Sequence, residues 1–244
     1  MTQIDEARAA LAPNGELRAA INLGNFLLVT GKTASGDPQG VSPSVATALA
    51  DRLSVPLRLI GYDTPGQVAD AAVLEEWDIG NIGAEPKRAE TINFTAAYCE
   101  IESTYMVPPG STLQTVDDVD KPGIRIAVSA RSAYELWLSR NIKHAKLVLV
   151  DGLDASYQIF EQDKLDALAG LRPRLISDVE RMPGARILDE KFSAVQQAVG
   201  APKSRPEAGI RFLVEFIEEL KANGTIAQFI TQHEVRGLSV APPA

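Results

Sequence analysis

Short runs of aliphatic and β-branched residues alternate along the chain with stretches whose apolar positions recur every three or four residues. Such alternation marks an α/β protein with mostly parallel strands, because each parallel strand needs a crossover helix before the next. The first run predicts a strand over 17–23. The polar turn Ser35-Gly36-Asp37-Pro38 then leads to a helix with Ser42 as N-cap and Pro43 at its first position. Val45, Ala46, Leu49, Ala50 and Leu53 fall on one face of it, as packing on a sheet requires. A strand over 56–60, a helix over 65–77 and a strand over 78–82 complete a β-α-β-α-β unit. A similar unit follows, with strands over 124–128, 146–150 and 165–169 and helices over 132–141 and 153–162.

Between the two units, 98–107 reads as a long extended segment ending in Pro108-Pro109-Gly110, where a crossing between lobes is expected. A second extended run covers 192–200. Helical patterns over 206–223, closed by Gly224, and over 226–233 have no strand of their own, so they are expected to return to the first lobe. The tail, Val240-Ala241-Pro242-Pro243-Ala244, extends no helix and reads as a loose or docked end.

Composition narrows the classes of function. The 244 residues suit one large domain or two small lobes, and 45% hydrophobic residues supply a core. A net charge of −8 without a basic cluster leaves no electrostatic footprint for nucleic acid. The lone Cys99 cannot form an internal disulfide, and with only His144 and His233 beside it no metal or cofactor is expected. Cys99 lies in an apolar run and reads as a small buried hydrophobe. The amino terminus has neither a basic n-region nor an apolar h-region, and no run of about 18 apolar residues occurs. This places the protein in the periplasm if an export signal was removed, and otherwise in the cytoplasm.

Ligands of open α/β sheets gather at the carboxyl ends of strands. The stretch after the third strand, Asn81-Ile82-Gly83-Ala84-Glu85-Pro86-Lys87-Arg88, is the most informative of these. Pro86 is expected to start a short helix, with Arg88 in its first turn. A guanidinium there can grip a carboxylate through a bidentate fork. The alternative is a solvated ion pair of Arg88 with Glu85, contributing only about 0.3–0.5 kcal/mol.

This stretch, with Phe94-Thr95-Ala96-Ala97-Tyr98 after it, resembles the signature of the family 3 solute-binding proteins of ABC transporters, best known for polar amino acids. Gly40-Val41, Asp78-Ile79, Leu165-Asp166-Ala167 and Leu220-Lys221-Ala222-Asn223-Gly224-Thr225 extend the likeness over almost the whole chain. It implies a type II periplasmic-binding-protein fold: two α/β lobes, 1–103 plus 194–244 and 104–193, joined by two crossing strands with the ligand enclosed between them. It implies further that Arg88 holds a ligand carboxylate, that Gly83 adds a backbone donor, and that the Asn81 carbonyl meets an amino group. Ser132 and Ala133 match the helix start that completes the carboxylate cradle, although capping alone also explains Ser132. Arg131 stands in place of the usual glycine, at the cleft rim or facing solvent. Asn25, Phe26 and Thr64 match the floor of the side-chain pocket, Phe26 being equally readable as core. One of Gln196 and Gln197 faces the cleft.

One departure bears on the ligand. Where amino-acid binders place an acid for the α-ammonium, this chain has Leu171 followed by Arg172. Either Glu102, Glu85 or another acid substitutes, or the ligand is an amine-free carboxylate. The resemblance therefore implies a monomeric binding protein, not an enzyme, delivering a small carboxylate or amino acid to ABC-transporter membrane subunits. An enzyme resembling the cyclohexadienyl dehydratases, with Glu102 or Glu85 as general acid, and a cytosolic ligand sensor are the alternatives.

Overall fold

The computed structural model describes residues 2–244, which divide into two compact units. The first comprises the chain up to Glu100 and from Gln196 onward, and the second Ile101–Val195. In chain order the first unit opens with α1 (Gln3–Leu11), β1 (Leu17–Asn22), the hairpin β2 (Gly31–Lys32) and β3 (Pro38–Gln39), α2 (Val41–Leu53), β4 (Leu57–Tyr62), α3 (Pro65–Val73) and β5 (Ile79–Gly83). Strand β6 (Ile92–Val107) carries the chain into the second unit. There follow α4 (Val116–Val119), β7 (Arg125–Ser129), α5 (Ala133–Asn141), β8 (Lys146–Val150), α6 (Leu153–Gln162), β9 (Ala167–Leu171), α7 (Arg172–Val179) and β10 (Arg186–Ile187). Strand β11 (Ser193–Pro202) returns to the first unit, which closes with α8 (Glu207–Ala222), α9 (Thr225–Gln232) and β12 (Ser239–Val240).

Both units follow one plan. In the first, β1 pairs in parallel with β4 on one side and β5 on the other, and β11 lies antiparallel against β5. In the second, β7 pairs in parallel with β8 and β9, and β6 lies antiparallel against β9. Each chain segment thus runs out from a central strand to an edge strand and then back across it. Such a reversal of strand order opens a crevice at the carboxyl ends of the central pair.

Strand β5 is buried along its whole length. On one face Ile82 joins Ala20, Val68, Ala71, Ala72, Trp77 and Ile92 in a single cluster. Gly80 shares that face because the Trp77 ring lies where its Cβ would be, 2.9 Å away. The indole N–H is satisfied by the Val68 carbonyl at 3.0 Å. By strand alternation Ile79, Asn81 and Gly83 point to the opposite face.

Several boundaries differ from the sequence reading. Helix α2 begins two residues earlier, with Gly40 and not Ser42 at the N-cap. Gly40 has φ 151°, and a Cβ there would lie 2.3 Å from the Leu28 carbonyl oxygen, so no larger residue fits. Ser42 is buried instead and shares a 2.9 Å hydrogen bond with the Tyr98 hydroxyl. Helix α3 stops at Val73, four residues before the expected end, and β9 is displaced to Ala167–Leu171. Helix α1, capped by a reciprocal Thr2–Asp5 box, was not foreseen, nor was α7. Helix α1 packs on α8 across Gly209, whose Cβ would lie 2.9 Å from Ala10. The returning helices do lie in the first unit, and the tail is docked through β12, paired to β6 at Cys99 and Glu100. Cys99 is fully buried, which pushes its thiol up to about 12.

At the start of β5 the buried Asp78 carboxylate gathers three elements. It accepts from the Arg18 backbone N–H at 2.9 Å, from the Arg18 guanidinium at 3.1 and 2.8 Å, and from Arg205 at 2.8 Å. Removing one member of a buried charge cluster leaves the others uncompensated. Asp78→Ala is therefore expected to lower unfolding free energy by about 3 kcal/mol, read from denaturant midpoints, while the exposed pair Lys87–Glu90 contributes little when broken.

Candidate functional site

In the first unit the reversal of strand order falls between β1 and β5, so the loops leaving their carboxyl ends are adjacent. After β1, the Asn25 side chain accepts the Leu27 N–H at 3.2 Å, and its carbonyl accepts from Leu28 and Val29 at 3.0 and 2.9 Å. Asn25 is buried by this turn, whereas the next residue, Phe26, is 39% exposed. The core reading of Phe26 is thereby overturned. Thr64, after β4, caps α3 through a reciprocal box with Gln67.

After β5 the expected helix is a single 3-10 turn, Arg88–Glu90, preceded by a bend at Pro86 and Lys87. A turn this short gathers no macrodipole, and the Ala89 N–H is already taken by the Glu85 carbonyl at 2.9 Å. What positions Arg88 is the strand end itself, since its Nη1 donates to the Gly83 carbonyl at 2.7 Å. Arg88 is 5% exposed and Glu85 6%, which removes the solvated-pair reading. The solvated pair of this segment is Lys87 with Glu90, at 2.7 Å. Opposite Gly83 in the ladder stands Gln197, buried, while the carbonyl of half-buried Gln196 accepts the Ala84 N–H at 2.7 Å. Asn81, two residues back along β5, is 1% exposed.

The Phe94–Tyr98 segment proves to be structural. Phe94 packs against the Trp77 cluster, the Thr95 hydroxyl accepts the Val199 N–H at 3.3 Å and donates to the Ala96 carbonyl at 2.7 Å, and Tyr98 meets Ser42.

In the second unit, Ser132 is the N-cap of α5, its Oγ accepting the Glu135 N–H at 3.1 Å. Ala133 is the first helical residue. Arg131 precedes them at φ 59°, with its N–H donated to the Glu135 carboxylate at 2.8 Å. A left-handed backbone strains any residue with a Cβ, which accounts physically for glycine as the favoured residue there. Glu102, on β6, is exposed and bonded to the Arg172 guanidinium at 2.8 Å. That bond, with the charges of Arg172 and Lys191 adding to it, holds its carboxyl below the ordinary range. Arg172 also donates to the carbonyls of Leu188, Asp189 and Glu190, tying α7 to the segment that leads into β11. Neither this clamp nor the Asp78 cluster was foreseen, because each joins residues remote in sequence. Among the described residues no group of His, Cys, Asp and Glu is arranged to hold a metal ion, and no helix is long and apolar enough to cross a membrane.

The sequence profile of the bacterial extracellular solute-binding proteins, family 3, matches residues 26–234. The chain belongs to that family. Solved structures agree on the fold. A mutant of ArgBP from T. maritima superposes with a TM-score of 0.72 at 18% identity, covering 96% of this chain and 100% of that one. An amino acid ABC transporter substrate-binding protein from Streptococcus pneumoniae, bound to L-arginine, gives 0.72 at 18% identity over 99% and 100%. An ancestral amino acid-binding protein, a precursor of cyclohexadienyl dehydratase, gives 0.73 at 18% over 95% and 99%. No curated protein matches the chain. At such identities the likeness establishes the type II periplasmic-binding-protein fold for this family 3 solute-binding protein, with mostly parallel α/β sheets.

Relieving the strained backbone before α5 gives a direct check of that helix start. Arg131→Gly is expected to raise stability by up to about 1 kcal/mol, the relief of a left-handed L-residue less the added chain entropy of glycine. The denaturant midpoint measures it, and Arg131→Ala, which keeps the Cβ, is expected to show no gain.

Proposed function

We propose that this solute-binding protein captures a small carboxylate-bearing ligand, an amino acid or an amine-free organic acid, for delivery to the membrane subunits of an ABC importer. Arg88 carries the reading. A guanidinium 5% exposed sits at the carboxyl end of β5, where the strand order reverses, and is steered there by the Gly83 carbonyl. The planar fork of arginine matches a carboxylate better than any other side chain, and burial strengthens a charge-assisted bond made there. Gly83, Asn81, Asn25, Phe26 and Thr64 surround this end of the first unit as further candidate contacts. Gln196, beside Gly83 on β11, belongs with them. Ser132 and Ala133 are the second unit's candidates. An affinity near 1 μM corresponds to about −8 kcal/mol, within the reach of a charge-assisted fork, a few backbone bonds and a small apolar body.

The amino-acid form of the ligand is supported by the neighbours, one bound to L-arginine and another complexed with lysine. Glu102 is not the partner favoured for a ligand ammonium, because Arg172 already occupies it. For the same reason it is a poor general acid, since a carboxyl held low is ionised at neutral pH and has no proton to give. The reading therefore remains binding without catalysis, by a monomer acting outside the cytoplasm, where the family's description places its members.

A thermal-shift panel of amino acids and short carboxylates identifies ligands, since a ligand bound only to the folded state raises the melting temperature. For any hit, Arg88→Met is expected to weaken calorimetric affinity by at least about 100-fold, the size of a lost charge-assisted fork. Arg88→Lys is expected to recover only part of it. Unchanged affinity in a folded Arg88→Met protein removes the residue from the site.

A further inference from the structure

The Asn81 side chain is a feature of the first unit that packing does not explain. It is 1% exposed, and neither its Oδ1 nor its Nδ2 has a hydrogen-bond partner among the described residues. Its neighbours across the two ladders are Ile21 on β1 and Val199 on β11, both aliphatic. The other orphans are single atoms: the hydroxyls of Ser103, Tyr134 and Tyr157, and one atom each of Arg205 and Glu218, whose side chains are otherwise ion-paired. Asn81 is the residue, among those described, that leaves two side-chain atoms unmet, a donor and an acceptor. Each orphan costs about 1–3 kcal/mol, and a leucine of nearly the same shape costs nothing of the kind. An amide kept at that cost in the middle of a sheet calls for a partner that arrives from outside the fold.

The direction of approach follows from the strand. Trp77 and Ile82 close the opposite face of β5, so Asn81 shares its own face with Gly83, two residues on. Gly83 has no side chain to stand between the amide and the strand's carboxyl end. Its carbonyl holds Arg88 Nη1 at 2.7 Å. Two residues of strand span about 6.6 Å, so a small head group reaching from the Arg88 fork down past Gly83 meets the amide.

We propose that the Asn81 side-chain amide is a specificity-determining ligand contact. Its Nδ2 donates to the ligand carboxylate held by Arg88, and its Oδ1 accepts from an amine or hydroxyl on the adjacent carbon. One head group then satisfies both orphans, with a neutral acceptor serving where no free carboxylate is at hand. A plain carboxylate leaves Oδ1 unmet and binds more weakly. The proposal rests on the Arg88 reading and refines it.

The test uses the whole chain and matched probes: the common L-amino acids, and for each hit the 2-hydroxy acid and the unsubstituted carboxylate with the same side chain. Calorimetry on the wild type is expected to favour the 2-amino or 2-hydroxy acid over the unsubstituted one by at least about tenfold. Asn81→Leu is expected to bring that ratio near one, weakening the unsubstituted acid, which loses only the Nδ2 contact, less than the 2-amino or 2-hydroxy acid, and not lowering the melting temperature. Asn81→Asp, which retains the acceptor and gains charge, is expected to raise the preference for 2-amino over 2-hydroxy by about tenfold. A wild type that binds unsubstituted acids equally well, a ratio that survives Asn81→Leu, or an amino-to-hydroxy ratio unmoved by Asn81→Asp overturns the proposal and leaves Arg88 in place. Failure of every carboxylate to bind, or binding that survives Arg88→Met, overturns the underlying reading instead.

Discussion

Strand β5 is five residues long, buried throughout, and held between a parallel neighbour and an antiparallel one. A strand so enclosed leaves each of its side chains a single permitted direction, and the first unit is organised by that constraint. At its entry Asp78 collects the charges of Arg18 and Arg205, which fixes β1 and the turn after β11 to the same point. On one face Gly80 gives way to the Trp77 ring, so the core closes there. At the exit Gly83 turns its carbonyl to Arg88 and places a buried cation at the strand's end. An ion cluster anchors the amino end and a buried cation marks the carboxyl end, where open α/β sheets gather their ligands.

The second unit repeats the strand plan with different polar fixtures. Its helix α5 begins with a capped turn in which Ser132 and Glu135 each serve a backbone N–H, at the expense of a left-handed Arg131. Arg172 faces Glu102 and three carbonyls of its own unit, and so acts as a clamp on the chain before β11. Glu102 is thus used up in a structural pair, and burial favours the protonated form of the Cys99 thiol.

The family signature separates into two kinds of residue once its contacts are known. Phe94, Thr95 and Tyr98 hold β6 to its neighbours through a packed ring, a hydroxyl inserted toward β11 and a hydroxyl pair with α2. Gly40 is demanded by the carbonyl of Leu28 against the start of α2. Arg88 differs from these in carrying a charge, buried at the carboxyl end of β5. Sequence likeness in such a motif therefore reports the fold more securely than the ligand.

The order of strands and helices, the repeat of one α/β unit and the position of Arg88 after a strand were all legible along the chain. They depend on local periodicity and turn chemistry, which neighbouring residues determine among themselves. The shift of β9 was set by ladder partners on β6 and β7, far away in sequence. So were the facts that matter most to recognition. Burial of Arg88, exposure of Phe26, engagement of Glu102 by Arg172 and isolation of the Asn81 amide each depend on which remote residues come to surround a side chain. Local sequence fixes what a residue can offer, and only the assembled packing decides whether that offer is already taken.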